Sequence, residues 1–142
     1  MTFKWFKYDN ALMKTAYALR NEVFTDEQGF PAEIDIDEMD ETAYHVVGFD
    51  GQMPVCTARI YLEHEGVYHA GRIAVKKIMR GTGLGKRMIN ELLNKAKALG
   101  ANRVELGAQY DKAGFYEACG FARCGEKYMD ADYPHIPMGI DL

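Results

Sequence analysis

Apolar positions along the chain change period several times, and each change marks an element. Phe3, Trp5 and Phe6 alternate with Lys4 and Lys7, which predicts a first strand over residues 3–8. Leu12, Met13, Ala16, Tyr17, Leu19 and Val23 then share one helical stripe, and Asp9 or Asn10 can cap it. The helix is expected to end between Phe24 and Gly29, where an acidic loop begins that Gly29 and Pro31 punctuate. Residues 44–50 and 55–63 read as a β-hairpin around Asp50-Gly51, and 67–75 as a third antiparallel strand after His64-Glu65-Gly66.

Met88, Ile89, Leu92, Leu93, Ala96 and Leu99 then fall on one face of a helix that Gly100 can end. A short strand over 104–107 and a short helix over 112–119, stopped by Gly120, follow. Two closing strands are expected over 121–129 and 136–140, with Pro134 and Pro137 in irregular backbone between them. The strand–helix–strand unit from 67 to 107 should place its two strands parallel through a right-handed crossover. A mixed sheet in one domain over 1–142 is the expectation.

Composition narrows the function. Of the 142 residues 48% are hydrophobic and 27% charged, an ordinary globular balance. The formal net charge of -4 argues against nucleic acid as a partner. Cys56, Cys119 and Cys124 make neither a disulfide framework nor a zinc spacing, so reduced thiols and a cytoplasmic location are expected. No apolar run approaches the ~20 residues that span a bilayer, and the N-terminus lacks a signal-peptide core, so no membrane is expected as a partner.

Candidate chemistry centres on Arg80, Gly81, Thr82, Gly83, Leu84, Gly85 and Lys86, between the strand ending Ile73-Ala74-Val75 and the long helix. Glycines allow close backbone approach, and a helix start offers free N–H groups and a positive dipole end, so the turn suits a phosphate. Two phosphate-loop templates fail: a Walker A loop would need Gly where Arg80 stands, and a dinucleotide fingerprint would need Gly where Lys86 stands.

Arg80-x-x-Gly83-x-Gly85 resembles the R/Q-x-x-G-x-G/A signature of the GNAT superfamily of N-acetyltransferases. Phe115-Tyr116-Glu117-Ala118-Cys119-Gly120-Phe121 is similar to the F-Y-x-x-x-G-F segment those proteins carry downstream. The resemblance implies an α/β (α+β) GNAT fold: a mostly antiparallel sheet of about six to seven strands, a central parallel pair, and helices on both faces. It implies acetyl-CoA as co-substrate, with the pyrophosphate on the 80–86 turn and the pantetheine arm along Ile73, Ala74 and Val75. A bulge splaying that strand from its parallel neighbour would open the slot. Gln109 stands where many relatives have an Asn touching the cofactor.

By the same resemblance Tyr116 is the general acid toward the leaving thiolate, a role that suits a neutral phenol. Glu27 or Glu105 is a possible base through water, and the residues do not choose between them. Cys119 has no evident base and is a poor nucleophile candidate. The segment from Arg20 through Asp40, followed by His45, and the Tyr133-Pro134-His135 region resemble a GNAT branch of ill-defined acceptor, which makes Glu27, Asp37, His45 and His135 candidate substrate-facing residues.

Six acids lie within the nine residues from Glu33 to Glu41, read otherwise as a solvated loop, and Met39-Asp40 breaks a calcium-loop pattern. The histidines lack metal-ligand spacing, so no metal is expected. The expected reaction is acetyl transfer to a primary amine of a small molecule or a protein. A non-catalytic acyl-CoA sensor is the alternative, and a homodimer is compatible with either.

Overall fold

The computed structural model describes residues 1–142, and its elements follow one another without a long irregular stretch. The strands are β1 (Thr2–Phe6), β2 (Tyr44–Asp50), β3 (Met53–His64), β4 (Val67–Val75), β5 (Arg103–Gln109), β6 (Ala122–Arg123), β7 (Tyr128–Asp130) and β8 (Tyr133–Asp141). The helices are α1 (Leu12–Arg20), α2 (Ala32–Asp35), α3 (Leu84–Ala98) and α4 (Ala113–Ala118). The strands form one sheet in the order β1-β2-β3-β4-β5-β8-β6, with β7 paired to β8. Only the β4–β5 pair is parallel.

Helices cover both faces. Leu84, Met88, Ile89, Leu92 and Ala96 of α3 join Val46, Ile60, Val104, Leu106 and Met138 in one buried cluster. Met13, Ala16 and Leu19 of α1 pack on Phe6 and Val47 on the other face. Asn10 serves α1 as the cap, its Oδ1 accepting from the Leu12 N–H at 2.9 Å.

Three expectations are corrected. The first strand stops at Phe6 rather than running to residue 8, while the first helix ends at Glu27 within the expected bounds, its last part, Asn21–Glu27, being π-helical. The sheet has eight strands rather than six to seven, because the expected strand over 121–129 is two short ones, β6 and β7. Pro134 and Pro137 lie inside β8 rather than before it. The Cys124 N–H donates to the Pro137 carbonyl at 2.9 Å, so the Pro137 nitrogen faces the gap between β6 and β7, where no ladder donor is required.

A bulge breaks β4. Gly71 is opposite Arg59 and Ala74 opposite Thr57, so Arg72 and Ile73 together face Ala58. Arg72 adopts a left-handed φ of 49°. Pairing between β4 and β5 ends at His69 and Glu105, after which β5 continues beside β8 alone. The two parallel strands therefore part, and the β5-facing edge of β4 from Ala70 to Val75 has no strand partner.

The acidic loop is held rather than solvated. Arg20 donates to Asp35 and Asp40, each at 2.9 Å. Arg59 reaches Asp37 at 2.6 Å and Asp40 at 2.9 Å. Arg72 donates to the Asp35 carbonyl at 3.0 Å and to Asp37 at 3.1 Å. Arg20, Arg59 and Asp40 are buried. The loop thus clamps the bulge residue to α1 and β3.

Titration of this cluster has a sign. Burial alone would raise the Asp40 carboxyl, but hydrogen bonds and charge from Arg20 and Arg59 carry it below the usual range. The hydrogen bond from Arg59 does the same for Asp37. Burial lowers the His45 imidazole. Stability held by the aspartates is present above the ordinary carboxylate range and lost as pH falls through their lowered values. His45 takes a proton in the unfolded chain before the folded one does, so stability already falls as pH drops below about 6.5. Melting temperature should decline from pH 7.5 to 5.5 and faster below pH 4. A flat profile to pH 4 would contradict the cluster.

Candidate active site

Where β4 and β5 part, a cavity of about 300 Å³ opens. Its floor is His69 to Ile73 of β4 with Leu106, Gly107 and Gln109 of β5. Phe24, Gln28, Phe30 and Asp35 form one wall, and Tyr128, Asp130, Ala131 and His135 the opposite one. Lys112 and Tyr116 complete it. The β7–β8 wall turns through Ala131 (φ 51°) and Asp132 (φ 61°), a type I′ geometry built without glycine.

Beyond the end of β4 lies the glycine turn. Gly81 and Gly83 have φ of 79° and 85°, and Gly83 caps α3. The backbone amides of residues 81–86 donate to no backbone carbonyl. They make a helix N-terminus of the kind that suits an anion, with a conformation that depends on the two left-handed glycines. Gly85 differs: its φ is ordinary, but a Cβ there would stand 3.2 Å from Phe115. Gly85→Ala should cost about 1 kcal/mol or less by crowding Phe115 while leaving the glycine turn intact. Parallel urea and ligand titrations check this, and loss of ligand binding in that variant would contradict it.

Tyr116 projects from α4 into the cavity wall, edge-packed on Phe115 (5.1 Å) and Phe121 (5.9 Å). Burial pushes its phenol up to about 12, so it is a protonated donor at neutral pH. Gln109 lines the cavity and donates to the Gln28 side chain at 2.9 Å, tying β5 to the wall that follows α1.

Of the remaining candidates, only His135 lines the cavity. Its Nδ1 donates to the Tyr133 carbonyl at 2.8 Å, and its ring stacks on Tyr128. His45 is 1% exposed and bonds the Asp40 carbonyl at 2.9 Å, so it is structural and not substrate-facing. Asp37 is spent on Arg59 and Arg72.

Neither expected base is free. Glu27 is held by Arg80, whose guanidinium also bonds the Val75 carbonyl at 2.9 Å, and that bond to Arg80 lowers its carboxyl. Glu105 accepts from Arg103 at 2.7 Å on the closed side of the strand junction. His69 is the cavity residue that sequence reasoning missed. The alternation along β4 gives it a face but not a cavity.

A free strand edge, a helix start with unpaired amides and a half-buried phenol are the features the structure sets along β4 and its continuation. The acetyltransferase (GNAT) domain family matches residues 12–142. The uncharacterised N-acetyltransferase YjcF of Bacillus subtilis is 36% identical over 130 residues, covering 91% of this chain and 92% of its own. ElaA of Escherichia coli is 29% identical at a TM-score of 0.85, and an acyl-CoA N-acyltransferase from Pseudomonas aeruginosa 26% at 0.85, each covering 97% of both chains. With its bulged β4, its glycine turn and its tyrosine helix in that family's order, the chain belongs to the GNAT acetyltransferases.

Proposed function

We propose that the chain transfers an acetyl group from acetyl-CoA to a primary amine by direct attack within a ternary complex. One observation carries this reading: the unpaired β4 edge from Ala70 to Ile73 lines one cavity with Tyr116, and the same strand runs on through Val75 to the free amides of residues 81–86. The CoA pyrophosphate sits on residues 81–86, with Arg80 and Lys86 supplying positive charge nearby. The pantetheine arm runs along Ile73, Ala74 and Val75, taking the place of the lost strand partner, and one backbone N–H of that edge polarises the thioester carbonyl. Gln109 borders the arm from β5. Helix dipole, strand edge and phenol act on the pyrophosphate, the carbonyl oxygen and the sulfur respectively.

The acceptor enters through the cavity between the Phe24–Phe30 wall and the β7–β8 hairpin. Its nitrogen attacks the acetyl carbon, the C–S bond breaks toward sulfur, and Tyr116 protonates the thiolate. No helix is long and apolar enough to cross a membrane.

Tyr116→Phe tests the reading. Thiol release from acetyl-CoA with a panel of primary amines should fall about 100-fold in kcat, while CoA affinity stays within twofold. A chain that only senses acyl-CoA would release no thiol with any amine, and the variant would leave its CoA affinity as it was.

A further inference from the structure

His69 occupies the vertex of the slot. It is the last β4 residue paired with β5, facing Glu105 in register, and from Ala70 onward the strands part. Its ring lines the cavity that Tyr116 also lines. Two contacts from β3 orient it: the Tyr61 ring stacks on it at 5.2 Å, and its Nδ1 lies 3.4 Å from Glu63 Oε2.

An ionised carboxylate can only accept, so the Glu63 contact places the ring proton on Nδ1 and leaves the Nε2 lone pair unused within the protein. The charged groups around the ring are Arg59 and Glu63 on β3 and Glu105 on β5. Burial holds the imidazole below its ordinary value against the pull of Glu63, which favours the neutral ring at physiological pH.

Resting on the acetyl-transfer reading above, we infer that His69 is the general base, its Nε2 taking the proton that a primary ammonium must lose before attack. Glu63 is the positioning residue behind it. The proton balance closes. Nε2 takes one proton from R–NH3+, and the freed nitrogen bonds to the acetyl carbon. The C–S pair goes to sulfur, which takes the Tyr116 proton. The tyrosinate recovers a proton from the new amide nitrogen, and the imidazolium returns its own to water. One proton is released per turnover.

His135 is the competing imidazole. It also lines the cavity, with its proton likewise on Nδ1, but it stands on β8, with β5 between it and the β4 edge. A base for the thioester on that edge is better placed on β4 itself.

The test uses the full chain with acetyl-CoA and three acceptor probes: phenethylamine, spermidine and a lysine-containing peptide. His69→Gln should lower kcat about 100-fold with CoA affinity within twofold of the native value. It should also remove the ascending limb of the pH–rate profile, which a lowered imidazole places below about pH 6.5, and added imidazole should restore part of the rate to His69→Ala. Glu63→Gln should lower kcat by a smaller factor and keep the limb.

Independently of any acceptor, long-range 1H–15N spectra of the histidine rings should show His69 as the neutral Nδ1–H tautomer at pH 7. The inference is overturned if His69→Gln keeps both the limb and a kcat within about threefold. It is overturned equally if the limb vanishes in His135→Gln instead, or if the spectra show Nε2–H. An active His69→Gln leaves acetyl transfer standing. Turnover of none of the three amines by the native chain removes transfer and base together.

Discussion

Gly83→Asp is expected to weaken CoA binding by about 100-fold or more while the chain stays folded. Space is not the reason, since a Cβ at Gly83 would meet nothing within 4 Å. Conformation is. At φ 85° an L-residue carries a left-handed penalty of about 1–2 kcal/mol, and the turn can relieve it only by rotating amides away from their common focus. The carboxylate adds repulsion where the pyrophosphate must sit, at the positive end of α3. Calorimetric titration of CoA, beside a melting curve to show that the fold persists, measures the effect. Binding within threefold of native would mean that the phosphate lies elsewhere.

Asp40→Ala should be the most damaging single change to stability, at about 3–5 kcal/mol. Its carboxylate is the shared partner of Arg20 and Arg59, both buried. Removing it leaves two guanidiniums without their common counter-charge in a region closed to water. Against a total of about 5–15 kcal/mol this is a large fraction, and only at the low end of that range would the chain unfold appreciably. Glu38→Gln, an exposed acid in the same loop, should change stability by about 0.5 kcal/mol or less. Equal losses from the two, read from urea unfolding, would contradict the clamp.

The elements that carry the proposed cofactor seat were legible because their signals are local. Strand alternation up to Val75, the glycines of the turn and the α3 stripe each specify their own backbone, and together they specify the crossover. Tyr116 was legible through the motif around it.

The acidic loop was not. Whether Asp37 faces water or an arginine is decided by Arg20, Arg59 and Arg72, which come from α1, β3 and β4. Nothing within the acid run encodes those partners. His45 reads as a polar residue on an alternating strand, yet it is sealed beneath the same loop.

The β7–β8 hairpin was missed for a different reason. Its turn puts Ala131 and Asp132 at positive φ without the glycine or asparagine that announces such turns. The π-helical run Asn21–Glu27 has no local signature either, since it continues a helix pattern by adding one residue to the hydrogen-bonded ring. These three features line the part of the cavity proposed to receive the acceptor. The proposed cofactor side is therefore readable from sequence and the proposed acceptor side is not.

The central claim is that CoA lies along the free edge of β4 with its pyrophosphate on the α3 turn. Titrating CoA into the 15N-labelled chain and following the amide resonances tests it most directly. The account predicts saturable shifts concentrated at residues 73–75 and 81–86 and at Gln109, with β1 and the far end of α3 unmoved. Shifts that spare residues 81–86, or that cluster on another face of the sheet, would contradict it.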